Sequence, residues 1–115
     1  MWVFTRDGFY SVVHDRYCQP DELMVRSRDK RDLMRLSKKV PLGTVLETKK
    51  ADYRYRAVIK RSSWAAYLSH EALEIGYDNF KNAVYGAGED EVREIAYMNV
   101  WVAMREAYQQ IGRYR

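Results

Sequence analysis

The chain has a single cysteine, Cys18, and only two histidines, His14 and His70. A lone cysteine excludes an intramolecular disulfide. His14, His70 and Cys18 also lack the paired spacing of a zinc site, so no metal is expected. Long apolar runs are missing too: nothing approaches the roughly 18 uninterrupted residues that span a bilayer. No basic segment followed by an apolar run opens the sequence, so a cytoplasmic setting with no membrane partner is expected.

Glycine is sparse, at 6 residues, and the close pair Gly86 and Gly88 runs into Glu89, Asp90 and Glu91. Those carboxylates would repel a phosphate, which excludes a phosphate-binding loop there. No serine or cysteine stands in a pattern with a base that would activate it. Glu71 and Glu74 share a helical face but read as solvated charge. No catalytic residue and no cofactor are assigned, and an enzyme is not expected.

What the chain does have is aromatic residues: 10 Tyr, 3 Trp and 3 Phe among 115 residues that are 47% hydrophobic. That is enough apolar surface for one core, and a single domain over residues 1–115 is expected. The net charge of +4 is a modest bias, with positive charge densest between Arg26 and Lys60.

Trp2 to Thr5 and Phe9 to Val13 are β-prone runs joined through Arg6-Asp7-Gly8, and Asp-Gly favours a type I′ hairpin turn over residues 2–14. Residues 15–22, with Pro20, read as a loop. Leu23 to Arg28 is strand-like. Ser27 or Asp29 would then cap a helix carrying Leu33, Leu36 and Val40, ended by Pro41 and Gly43. Thr44 to Thr48 is a further strand, and Tyr53 to Lys60 alternates most clearly, with Tyr53, Tyr55, Ala57 and Ile59 on one side.

Ser62 and Ser63 are candidate caps for a helix with Ala65, Leu68, Ala72 and Ile75 on one stripe, ending at Gly76. Asp78 would cap a short helix containing Phe80 and Val84. After Gly88, the acidic triplet suits the positive end of a last, long helix to about Gln110. That helix has two apolar stripes: Val92, Ile95, Ala96, Val102 and Ala103 on one, Tyr97, Trp101, Met104, Tyr108 and Ile111 on the other. So wide an apolar girth implies either a wedge between sheet and helices or a second side facing a partner. The order predicts an α+β fold: a two-layer sandwich, mainly antiparallel, with helices on one face, ferredoxin-like or related, and a long C-terminal helix.

Two surfaces are candidates for function. The first is the basic strand face, where Arg26, Arg28, Arg54, Arg56 and Lys60 would contact an anion or nucleic acid, with Tyr10 or His14 beside them. Alternatively, the arginine stems merely cover the sheet, with Glu47 and Asp52 as ionic partners. The second is the protein-interface stripe of Tyr97, Trp101, Met104 and Tyr108. Cys18, near Arg16, is either a reactive thiol or a half-buried small hydrophobe.

The segments Met1-Trp-Val-Phe-Thr, Gly8-Phe-Tyr-Ser-Val-Val, Val25-Arg-Ser-Arg, Asp32-Leu, Asp52-Tyr-Arg-Tyr-Arg and Tyr77-Asp-Asn-Phe-Lys, with a late Trp101, span nearly the whole chain. In this order they resemble a family of small bacterial and phage proteins that has no assigned activity. The resemblance implies a bacterial or phage cytoplasmic setting and lends no activity. The function expected is therefore a binding or regulatory role, through self-association or a protein partner such as a host factor. A nucleic-acid-binding module is the alternative.

Overall fold

The computed structural model describes residues 1–86 and 91–113. Two compact units make up the chain, Met1–Ile75 and Gly76–Arg115. The first contains β1 (Trp2–Phe4), β2 (Phe9–Val13), β3 (Glu22–Ser27), α1 (Lys30–Ser37), β4 (Leu46–Glu47), β5 (Tyr55–Lys60) and α2 (Arg61–Leu73). The second contains α3 (Phe80–Gly86) and α4 (Glu91–Arg113).

The strands form one antiparallel sheet in the order β1-β2-β3-β5-β4, as an α+β fold requires. The first three strands are a meander, without the intervening strand of a ferredoxin-like split βαβ unit, so the layout is a related two-layer one. Both edge strands are short, β1 with 3 residues and β4 with 2. A hydrogen bond from Gly43 N to Val58 O, 2.9 Å, extends the β4 edge alongside β5.

The strands follow their period-2 pattern, and one face carries the core. Tyr10, Val12, Val25, Ala57 and Ile59 pack there against Leu33 and Leu36 of α1 and Trp64 and Tyr67 of α2. Full burial of each Val, Leu or Ile side chain among them contributes roughly 1.5–3 kcal/mol. Both helices of the first unit thus lie on one face of the sheet. Tyr10 sits inside this core at 0% exposure, so the aromatic residue on the opposite face is its neighbour Phe9, not Tyr10 as expected.

Several local expectations are corrected. The hairpin is present, but a four-residue loop from Thr5 to Gly8 closes it, with Thr5 N bonding Gly8 O at 2.9 Å, rather than a two-residue type I′ turn. Asp29 is the α1 cap, accepting from Arg31 N at 2.9 Å, and α1 stops at Ser37, short of Pro41. Val40 still packs on the core from the segment that follows. The helix α2 starts at Arg61 without a side-chain cap, so Ser62 and Ser63 do not serve as one. Its buried face is Trp64 and Tyr67, whereas Ala65, Ala72 and Ile75 are exposed. Bulky aromatics win that face because they bury more area than alanines.

In the second unit, Asn79 rather than Asp78 caps α3, its Oδ1 accepting from Asn82 N at 3.1 Å. Phe80 stacks on Tyr97 of α4 at 5.9 Å. The long last helix is present and runs to Arg113. Gly88, Glu89 and Asp90 lie outside the described residues. None of the described helices is long and apolar enough to cross a membrane.

Candidate functional site

Three groupings of side chains qualify for scrutiny. The first is polar and joins residues far apart in the sequence. The loop between β1 and β2 brings Asp7 to Tyr67 on α2, whose hydroxyl donates to Asp7 Oδ2 at 2.7 Å. Thr5 Oγ1 lies 2.8 Å from the same hydroxyl. Lys39, just past α1, reaches both Asp7 and Glu71, each at 2.7 Å. Beside it, buried Asp32 accepts from Phe9 N, Ser27 Oγ and Arg35 Nη1, at 3.2, 3.3 and 3.1 Å.

Electrostatics within this cluster are balanced. Burial alone would raise the Asp7 pKa, but the bonds from Lys39 and Tyr67 outweigh it and hold the carboxyl below its ordinary value. Burial likewise opposes charge on Lys39, yet its two carboxylate partners hold its pKa above the ordinary value. Desolvation, chiefly, pushes the Tyr67 hydroxyl far up, so it stays a protonated donor. With donors and acceptors matched, the cluster ties the hairpin loop to both helices. It is a fastening, and residues about 60 positions apart form it.

The basic strand residues separate into two classes. Arg28 is ion-paired to Asp52 at 3.0 Å, Arg54 to Glu47 at 2.6 Å and Lys60 to Asp21 at 3.0 Å. Arg26 and Arg56 differ: the β3–β5 register sets them directly opposite one another. They lie on the face away from the helices, since Val25 and Ala57 beside them are in the core. Tyr53 was expected to face the helices. It precedes β5 instead, and its ring lies under both Arg26 and Arg28, at 4.7 and 4.4 Å.

Cys18 is half-buried and its thiol donates to Asp15 Oδ1 at 3.4 Å. Desolvation, and then the Asp15 carboxylate, push its pKa up, and Arg16 turns to the Tyr17 hydroxyl instead, at 2.8 Å. It is therefore not an activated nucleophile. His14 Nδ1 is engaged with Glu22 O at 2.9 Å. Among the described residues, no group of three or more His, Cys, Asp or Glu side chains is placed to hold a metal ion.

The third grouping is α4. Its buried residues are Arg93, Glu94 and Tyr97, all in the first two turns, and every residue from Asn99 to Arg113 is exposed. That stretch is about 22 Å long at ~1.5 Å per residue. Along it Trp101, Met104, Tyr108 and Ile111 recur at spacings of four and three, continuing the stripe that Tyr97 begins. The period is that of a coiled-coil seam. Trp101 is 46% and Tyr108 65% exposed, and cations flank the seam at its start, Lys81 Nζ lying 4.2 Å from the Trp101 ring centroid. The other stripe is exposed as well, Val92 at 78%.

No family model, curated protein or solved structure matches the chain. Of the residues singled out from the sequence, the structure brings Trp101, Met104 and Tyr108 onto one exposed seam, while Tyr97 is buried on Phe80. It brings Arg26 and Arg56 together and ties Arg28, Arg54 and Lys60 to carboxylates.

Proposed function

We propose that this protein is a non-enzymatic binding module that works through protein–protein contact, with the exposed half of α4 as its contact surface. The carrying observation is the uninterrupted exposure from Asn99 to Arg113 with a heptad-spaced apolar seam upon it. A helical segment of about 15 residues with little tertiary packing is marginal in water. Four large apolar side chains in one line supply the packing once a second helix covers them.

The occupant we assign is a second copy of this chain, its α4 antiparallel to the first. With the two-fold axis near Glu106, Trp101 faces Ile111 of the partner subunit and Met104 faces Tyr108 of the partner subunit. Each layer then joins a large ring to an aliphatic side chain. An antiparallel pair also sets the helix dipoles against each other favourably, and a closed two-fold contact is the commonest oligomeric solution. Ala107, beside the seam, is small enough for close approach of the two backbones.

In the bacterial or phage cytoplasmic setting that the sequence resemblance implies, a host protein with a matching apolar helix is the competing occupant. The nucleic-acid alternative has less support, because Arg28, Arg54 and Lys60 are each neutralised by a carboxylate. Light scattering across a concentration series is the test. A dimer that Trp101→Glu converts to a folded monomer supports the proposal; a wild type that is monomeric at every concentration overturns self-association.

A further inference from the structure

Arg26 and Arg56 form an arrangement whose charge no carboxylate among the described residues neutralises. Like charges directly opposite each other on an antiparallel pair repel, and these two are half-buried, so water screens them less than it would at the surface. Among the described residues neither has a carboxylate within ion-pair distance, whereas Arg28, Arg31, Arg35, Arg54, Lys39 and Lys60 each have one. The neutral partners are few: Arg26 Nη2 donates to Ser11 Oγ at 2.7 Å and Arg56 Nη2 to Tyr53 O at a long 3.4 Å. The Nε–H groups of both are buried without a hydrogen-bond partner among the described residues. Unmade bonds at buried donors are costly, more so when the donor is charged.

We propose that Arg26 and Arg56 are the two halves of a receptor for a doubly charged phosphoryl group. Each guanidinium offers a planar fork matched to a pair of oxyanion oxygens. A carboxylate has only two oxygens and satisfies a single fork. A phosphate monoester has three terminal oxygens and close to two negative charges, which suits two forks side by side. The Tyr53 ring packs under Arg26 from one side, and Ser11 fixes one of its terminal nitrogens. Arg26 is thereby held in place before any ligand arrives, which lowers the ordering cost of binding. The site is independent of the α4 seam and stands or falls separately.

Isothermal titration and thermal unfolding with inorganic phosphate test it, against sodium chloride at matched ionic strength. Phosphate is expected to raise the melting temperature where chloride does not. Adenosine monophosphate is the second probe: tighter binding than phosphate assigns the group to a nucleotide, and equal binding assigns it to the phosphoryl group alone. Arg56→Lys keeps the charge but loses the fork and is expected to weaken binding by about tenfold or more. Arg26→Met and Arg56→Met remove the repulsion, so each variant is expected to match or exceed wild-type stability in phosphate-free buffer and to lose the phosphate response. Line broadening of the phosphorus resonance of inorganic phosphate by the wild type needs no variant. A phosphate effect equal to that of chloride, no line broadening, or a response untouched by Arg56→Lys overturns the proposal.

Discussion

Gly8 and Asp32 touch so closely that no side chain fits between them: a Cβ on Gly8 would lie 2.3 Å from Asp32 Cγ. The carboxylate it would strike is itself pinned by Phe9 N, Ser27 and Arg35, so it has nowhere to go. Glycine is needed here for close approach, since its φ lies outside the left-handed region. Gly8→Ala is expected to destabilise by roughly 1–3 kcal/mol, the usual cost of forced overpacking. Urea unfolding reads this as a lower midpoint at unchanged slope; an unchanged midpoint would show that the loop relaxes freely.

Tyr67 supplies the bond that anchors Asp7 from α2, with Thr5 on the same hydroxyl. Tyr67→Phe keeps the ring stacked on Trp64 and removes only the oxygen. The expected loss is about 1–3 kcal/mol, because two polar partners are left in a largely buried place. A double-mutant cycle with Thr5→Val should show coupling; strict additivity would argue against a shared network.

The Asp7–Lys39 pair makes stability depend on pH at both ends. Asp7 is lowered in the folded state, so its contribution is present above the unfolded carboxyl value of about 3.9 and is lost as pH falls through the folded one. Lys39 is raised, so its contribution is complete below about 10.4 and is lost as pH rises through its folded value. Lys39→Met should therefore cost most near neutral pH and progressively less below pH 4, where Asp7 takes up its proton. Urea midpoints at pH 7 and pH 3 measure the gap; a gap that stays constant sinks the pairing.

On α4 the two stripes should respond differently. Met104→Glu places a charge in the seam and is expected to abolish association, while Val92→Glu, on the other stripe at 78% exposure, is expected to leave it unchanged. Sedimentation of the two variants side by side decides it. Equal loss in both would mean that the whole helix girth, and not the seam, is the contact.

Local chemistry made much of the fold legible in advance. Asp29 before Lys30, the Leu33–Leu36 spacing and the Ala57–Ile59 alternation each state an element through its own neighbours. Where local periodicity and bulk disagreed, bulk prevailed: the alanine stripe of α2 has helical spacing, but Trp64 and Tyr67 have the area to bury. Tyr53 matches the β5 alternation in sequence but stands one step before the strand begins, where the backbone no longer imposes that alternation. The Asp7, Lys39, Glu71 and Tyr67 cluster had no sequence signal, since its members come from a turn, a helix end and a distant helix. Arg26 and Arg56 were both legible as basic strand residues. That they face each other depends on the β3–β5 register, which only the fold fixes.

The two edge strands, 3 and 2 residues long, carry a consequence for what the protein does when crowded. So few free ladder groups give an incoming strand little to grip. Growth by adding strand after strand to the sheet edge, a route to fibrils, is restricted at both ends of β1-β2-β3-β5-β4. The antiparallel α4 pair proposed above would be closed, so association by that route would end with the second molecule. Concentrated solutions should therefore hold a finite species and stay clear.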